Sequence, residues 1–179
     1  MTGVNAPAAE GMRSIAWGKK VSVEFRAKMI AICGDLRCNP DHLMAAMAFE
    51  TGETFRPDIK NKISGATGLI QFMPATARQL GTTTDALAAM SAVEQLDYVA
   101  RYFRSQRGRL KSVEDVYMAI LWPAAVGKPN DFILFASPSQ AYIQNKGLDY
   151  DHDNRVTKLE AAQHVRLRLS KGLQPGFIG

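Results

Sequence analysis

The stretch that most constrains this chain runs from Asn39 to Ala77, NPDHLMAAMAFETGETFRPDIKNKISGATGLIQFMPATA. It opens as a helix with a defined entry. Asn39 suits the N-cap, Pro40 the first helical position, and Asp41 complements the positive end of the helix dipole. Leu43, Met47 and Glu50 follow at i, i+4 and i+7, so they share one face. If that face points inward, Glu50 is a single acid on an apolar stripe, and desolvation raises its pKa. A carboxylic acid still protonated near neutral pH can give a proton to a leaving oxygen. Gly52 stops the helix and leaves Glu50 at its end, within reach of a cleft. The competing reading is a solvated Glu in a last helical turn, which is the commoner fate of such residues.

The residues after Glu50 tilt the balance. The helix ends Glu50-Thr51, a short loop follows, and then comes Gly65-Ala66-Thr67-Gly68-Leu69-Ile70-Gln71-Phe72-Met73-Pro74-Ala75-Thr76-Ala77. These two linked segments resemble the soluble lytic transglycosylase family of the lysozyme superfamily, over residues 39–80 and weakly to about 127. The resemblance implies a mainly α, lysozyme-like single domain with a small β element beside the cleft. It also implies cleavage of the β-1,4 bond between N-acetylmuramic acid and N-acetylglucosamine in peptidoglycan. Glu50 would be the catalytic residue, acid first and base second, taking the proton of the C6 hydroxyl as it closes on C1 in a 1,6-anhydro ring. Gln71 maps to a residue that hydrogen-bonds the sugar, and Thr51 to a Ser beside the acid. Phe72 and Met73 are candidates for the cleft wall and equally for the core. The family's Ala-Tyr-Asn-x-Gly segment, whose Tyr orients the acid, is altered here to Ala119-Ile120-Leu121-Trp122-Pro123-Ala124-Ala125-Val126-Gly127. Trp122 is the candidate for the Tyr place; its indole can stack on a sugar but cannot accept a hydrogen bond. Tyr117 or Tyr142 would then supply a phenol. A true muramidase would need a second carboxylate. Glu53 and Asp58 are the candidates, although solvated loop charges are the commoner reading for both.

The rest of the chain reads as one helical domain. Its 179 residues suffice for a single core, and 46% hydrophobic with 22% charged residues describes a globular chain. No apolar run is long enough to span a bilayer. Residues 1–20 read as a flexible lead-in without Sec signal character, so residues 21–179 form the expected domain and synthesis in the bacterial cytoplasm is expected. The first helix starts at Ser22 and stops at Gly34. Residues 51–73 form a loop with a small two- or three-stranded sheet. Pro74 opens a short helix closed by Gly81. Ser91-Ala92-Val93-Glu94 is a capping box that launches a buried central helix. Ser112 caps another helix ended by Pro123, Ser137-Pro138 opens one more, and the last runs over about 158–170. The total is about seven helices.

The net charge is +5 and the sequence pI is about 9.3, which attracts nucleic acid, anionic lipid or an anionic wall polymer. The basic residues read as dispersed and no aromatic–basic ladder appears, so nucleic acid is not an expected partner. Cys33 and Cys38 lack metal-site spacing and read as reduced thiols, with a disulfide left open.

A second constellation lies at Asp149-Tyr150-Asp151-His152-Asp153-Asn154-Arg155-Val156-Thr157-Lys158-Leu159-Glu160. It matches an EF-hand loop: side-chain oxygens from Asp149, Asp151, Asp153, Thr157 and Glu160, and the Arg155 backbone carbonyl. Asn154 stands where Gly is usual and tolerates the left-handed conformation. The alternative is an acidic turn followed by the capping box Thr157–Glu160, with no ion. A bound Ca2+ would be structural, and catalysis needs no cofactor. The combined expectation is a monomeric peptidoglycan-degrading enzyme acting at the cell wall, a phage endolysin or virion-associated lysin. The rival is a non-catalytic wall-binding or structural particle protein that keeps the fold.

Overall fold

The computed structural model describes residues 11–179. It is mainly helical, with one small antiparallel sheet. The helices are α1 (Val23–Leu36), α2 (Pro40–Glu50), α3 (Pro74–Gln79), α4 (Thr84–Ala89), α5 (Ala92–Phe103), α6 (Val113–Leu121), α7 (Gln140–Asn145), α8 (Lys158–Ala161) and α9 (Gln163–Gly172); the strands are β1 (Ile133–Ala136) and β2 (Arg155–Thr157). The nine α-helices among the described residues exceed the seven expected. The surplus is α4, capped by the Thr83 hydroxyl, and the splitting of the last helix at Ala162 into α8 and α9.

Helix α2 forms for the reasons its sequence gives. The Asn39 side chain accepts from Asp41 N–H at 3.0 Å, and Pro40 holds the first turn. Leu43 to Ala48 are buried without a break, so α2 is enclosed all round rather than amphipathic. It packs chiefly against α9 and α6, and also meets α1. This corrects the expectation that the Ser91 helix is the central one. The capping box there is present, but α5 buries one face, through Gln95, Leu96, Val99 and Phe103, and packs against α1. Gly34 does not stop α1. The helix runs on to Leu36 and ends at Arg37, in the left-handed region at φ 57°.

The lead-in expected over residues 1–20 is corrected from Ile15 onward; residues 1–10 lie outside the described residues. Ile15, Ala16 and Trp17 are fully buried. Ile15 and Gly179 exchange backbone hydrogen bonds at 3.0 and 3.2 Å, and Trp17 N–H donates to Gly172 O at 3.0 Å. The Trp17 indole donates to Arg168 O at 2.9 Å and lies 4.8 Å from the Phe177 ring. A Cβ on Gly172 would meet that indole at 2.3 Å, so glycine leaves the space the ring occupies. The other end of the segment reaches α2: buried Asp41 accepts from Ala16 N–H at 2.8 Å and pairs with Arg13 at 2.8 Å. Nothing in the short run Ile15-Ala16-Trp17 has a period that would mark it as core.

The expected sheet over 51–73 is reduced to two isolated bridges, Lys60–Thr67 and Thr67–Phe72. This loop is held instead by Gln95 of α5. The buried Gln95 amide accepts from Leu69 N–H at 2.7 Å and donates to Pro57 O and Leu87 O at 3.0 and 2.8 Å. Gly68, at φ 86°, passes so close that a Cβ would lie 2.3 Å from Gln95 Oε1, which explains that glycine of the Gly-Ala-Thr-Gly segment. The paired strands lie elsewhere: β1 and β2 are antiparallel, with Ile133 opposite Thr157 and Ala136 opposite Arg155. Behind them, buried Lys158 Nζ reaches Asp115 Oδ1 of α6 at 2.5 Å and Lys128 O at 2.8 Å. Cys33 and Cys38 are free thiols. Among the described residues, no helix is long and apolar enough to cross a membrane.

Trp17→Ala is expected to destabilise the fold by about 3–5 kcal/mol in urea unfolding, the range for emptying a buried aromatic site. A lead-in would leave the midpoint unmoved.

Candidate functional site

Glu50 is the last residue of α2, ahead of the Thr51 C-cap and Gly52 at φ 59°. Burial pushes its carboxyl up to about 7, because the charged form loses hydration that nothing replaces. Among the described residues it makes no hydrogen bond and no ion pair. Two phenols sense its charge. Burial and then Glu50 raise the pKa of both Tyr102, on α5, and Tyr117, on α6. The Tyr102 hydroxyl donates to Ala119 O at 2.8 Å, so its lone pairs are free to accept. Next to the acid, Phe49 meets Tyr117 edge-on at 5.6 Å and stacks on His164 of α9 at 5.7 Å with the planes 6° apart. His164 Nε2 and Tyr150 Oη are 2.8 Å apart. Tyr150, His164, Leu159, Glu160, Gln163 and Leu167 line a surface cavity of about 410 Å³. Glu50 is not among its lining residues.

The other expected residues divide into distinct groups. Tyr117 lies near the acid. The Thr51 hydroxyl is buried, donating to Met47 O at 2.7 Å and accepting from Phe55 N–H at 3.0 Å; it shapes the turn and is not offered to a ligand. Gln71, at φ 53°, donates through Nε2 to Ile59 O and Gly68 O, both at 3.1 Å. Its donor edge therefore pins the loop, and only its carbonyl oxygen is left over. Phe72 is core, 2% exposed and edge-on to Tyr102 at 6.1 Å. Trp122 is 41% exposed and packs edge-on to Phe135 of β1 at 5.2 Å. Tyr142 belongs to the acidic loop, its hydroxyl donating to Asp149 Oδ2 at 2.7 Å.

Neither loop acid is a spare carboxylate. Glu53 faces Arg168 Nε at 2.9 Å, at an angle that makes it an ion pair rather than a hydrogen bond, and Lys171 Nζ at 2.5 Å. Asp58 accepts from Nε and Nη2 of the Arg56 guanidinium, at 3.0 and 2.7 Å. Sequence reasoning missed Tyr102, Tyr150 and His164. Tyr102 sits beside Phe103 in an amphipathic helix, and no spacing separates a phenol that reaches a carboxyl from one that fills the core.

In the 149–160 loop, carboxylate oxygens of Asp149, Asp151 and Asp153 lie within 4.8 Å of one another, a group able to hold a metal ion. Asn154 takes the left-handed conformation the pattern requires, at φ 67°. The Tyr142 hydroxyl, followed by backbone N–H groups, holds the Asp149 carboxyl below its ordinary range. Thr157 and Glu160 form a reciprocal capping box, with the Thr157 hydroxyl 2.7 Å from Glu160 Oε2. Burial pushes the Glu160 carboxyl up, but the Thr157 N–H and hydroxyl outweigh it and hold it low. The three Asp carboxylates are hard oxygen donors of the kind that suits Ca2+, while the Glu160 oxygens accept from Tyr150 N–H and from Thr157.

No protein-family model matches the chain, and a search of curated proteins finds no relative.

Raising the Glu50 pKa from 4.5 to about 7 means that the folded state holds a proton the unfolded chain has lost between those values. Stability therefore falls as pH rises through that window, by about 3 kcal/mol in all. Glu50→Gln removes this term. Urea unfolding at pH 4 and pH 8 is expected to show the variant gaining over the parent only at the higher pH.

Proposed function

We propose that this chain cleaves the β-1,4 MurNAc–GlcNAc bond of peptidoglycan on a lysozyme-like fold, by the lytic-transglycosylase route, with Glu50 as general acid and then base. The observation that carries the proposal is the state of the Glu50 carboxyl: desolvated, unpaired among the described residues and pushed up to about 7. A group balanced between its acid and base forms near neutrality serves both halves of the reaction. It gives its proton to the departing glycosidic oxygen, breaking the C1–O bond. It then takes the proton of the C6 hydroxyl as that oxygen bonds to C1, giving the 1,6-anhydro sugar and restoring the acid. The ion-paired state of Glu53 and Asp58 supports this one-acid route over a two-carboxylate hydrolase. Tyr102 and Tyr117, kept neutral by burial, are the groups that orient the carboxyl in place of the family's Tyr.

In this reading the protein is a monomeric endolysin or virion-associated lysin whose partner is the glycan strand. The 149–160 loop carries a structural Ca2+ on Asp149, Asp151, Asp153, the Arg155 carbonyl, Thr157 and Glu160. A second reading, wall binding without turnover, is favoured by one observation: Gln71 spends its amide donors on Ile59 and Gly68.

Glu50→Gln is expected to reduce clearing of chloroform-treated Gram-negative cells at least about a hundredfold. Mass spectrometry of the released muropeptides is expected to show 1,6-anhydro ends. Reducing ends would make the enzyme a muramidase, and sugar binding without products would establish the second reading. Saturating calcium is expected to raise the melting temperature, by the equivalent of about 2.7 kcal/mol at a hundred times Kd. Asp151→Asn/Asp153→Asn should remove that rise.

A further inference from the structure

The dispersed reading of the basic residues is corrected at one stretch. Residues 101–111, RYFRSQRGRLK, hold Arg101, Arg104, Arg107, Arg109 and Lys111 and no acid. All five are exposed. Gly108 N–H donates to Leu36 O at 2.9 Å and Arg107 Nε to Asp35 O at 2.6 Å, which folds the run against the end of α1 and sets exposed Arg37 beside it. Among the described residues none of these six cations forms an ion pair, whereas Arg13, Lys28, Arg56, Lys60, Lys158, Arg166, Arg168 and Lys171 all do. Asp35 is the one acid in the cavity lining beside them and pairs with none of them, so this face keeps its charge. Between Arg104 and Arg107 lies a cavity of about 330 Å³ floored by Ile32, Leu36 and Ala100, with Asp35 on its edge.

We propose that this face, the end of α1 with residues 101–111, docks on a bilayer of acidic phospholipid. Several exposed cations without acidic partners, gathered on one face, gain from a sheet of negative headgroups once within a Debye length of it. The cavity lining suits a lipid phosphate, with two arginines for the headgroup and three apolar residues for the glycerol and first methylenes. Asp35 opposes this in part, which favours a surface of many charges over a single tightly held anion. Nucleic acid fits less well because no ring is free to stack a base. Arg101 covers Tyr98 at 4.8 Å, the Tyr102 hydroxyl is tied to Ala119, and Phe103 is buried. With Leu110 also buried, no apolar anchor projects from the face, so the docking is adsorption rather than insertion. The inference stands apart from the chemistry at Glu50.

Co-sedimentation with large vesicles tests it. The protein is expected to pellet with equimolar phosphatidylglycerol–phosphatidylcholine vesicles at about 0.05 M salt, to be released at about 0.5 M, and to ignore pure phosphatidylcholine. Arg101→Gln/Arg104→Gln/Lys111→Gln is expected to lower the partition coefficient on the order of a hundredfold, at about fivefold per charge. The control Lys20→Gln/Lys62→Gln/Arg78→Gln removes the same charge from exposed sites elsewhere and is expected to do much less. Equal losses would assign the effect to net charge and overturn the proposal, as would no binding to the acidic vesicles. Tighter binding to a short DNA duplex, lost in the first variant, would overturn it in favour of nucleic acid. Unchanged melting of both variants keeps the comparison about charge.

Discussion

The enclosure of α2 governs the rest of the structure. A helix apolar on every side from Leu43 to Ala48 cannot lie on a surface, so other elements must surround it, and α1, α6 and α9 do. Its two ends then emerge into different surroundings. At the start, Asp41 turns its carboxylate to backbone and guanidinium donors and anchors the Ile15–Trp17 segment. At the finish, Glu50 comes out near Phe49, Tyr102 and Tyr117, and among the described residues no donor meets it. Two carboxylates on one helix thus reach opposite electrostatic states, one compensated and one not.

Much of this was legible in the chain. The caps at Asn39, Ser91 and Ser112 are short-range chemistry, and each works as written. The apolar run into Glu50 likewise announced a sheltered acid, and Asn154 takes the left-handed turn that its place in the acidic loop requires. What escaped was decided across distance. Trp17 is core only because Gly172, 155 positions later, lacks a side chain. The loop after Glu50 is pinned by the Gln95 amide, reaching from another helix, and by Gln71 within it, rather than by the local strand pairing its composition suggested. Glu53 read as free until α9 brought Arg168 and Lys171 to it.

The same distinction separates the site residues. Thr51 and Gln71 carry polar groups of the right kind at the right spacing, yet their donors are consumed by neighbouring carbonyls. Hydrogen-bonding capacity is written in the sequence, but its expenditure is not. Tyr102 illustrates the converse: an unremarked phenol on an amphipathic helix comes to sense the acid while its hydroxyl reaches across to Ala119 O of α6.

The Lys158–Asp115 pair joins regions that would otherwise be separate. Lys158 lies inside the acidic loop, while Asp115 sits in the first turn of α6, two residues before Tyr117, and also accepts from Gly127 N–H at 2.8 Å. Parting two buried charges leaves both uncompensated. The loop and the base of α6 are therefore expected to open together as one cooperative unit, their amides exchanging with solvent in step. The helix that carries Tyr117 to the acid is thereby tied to the acidic turn.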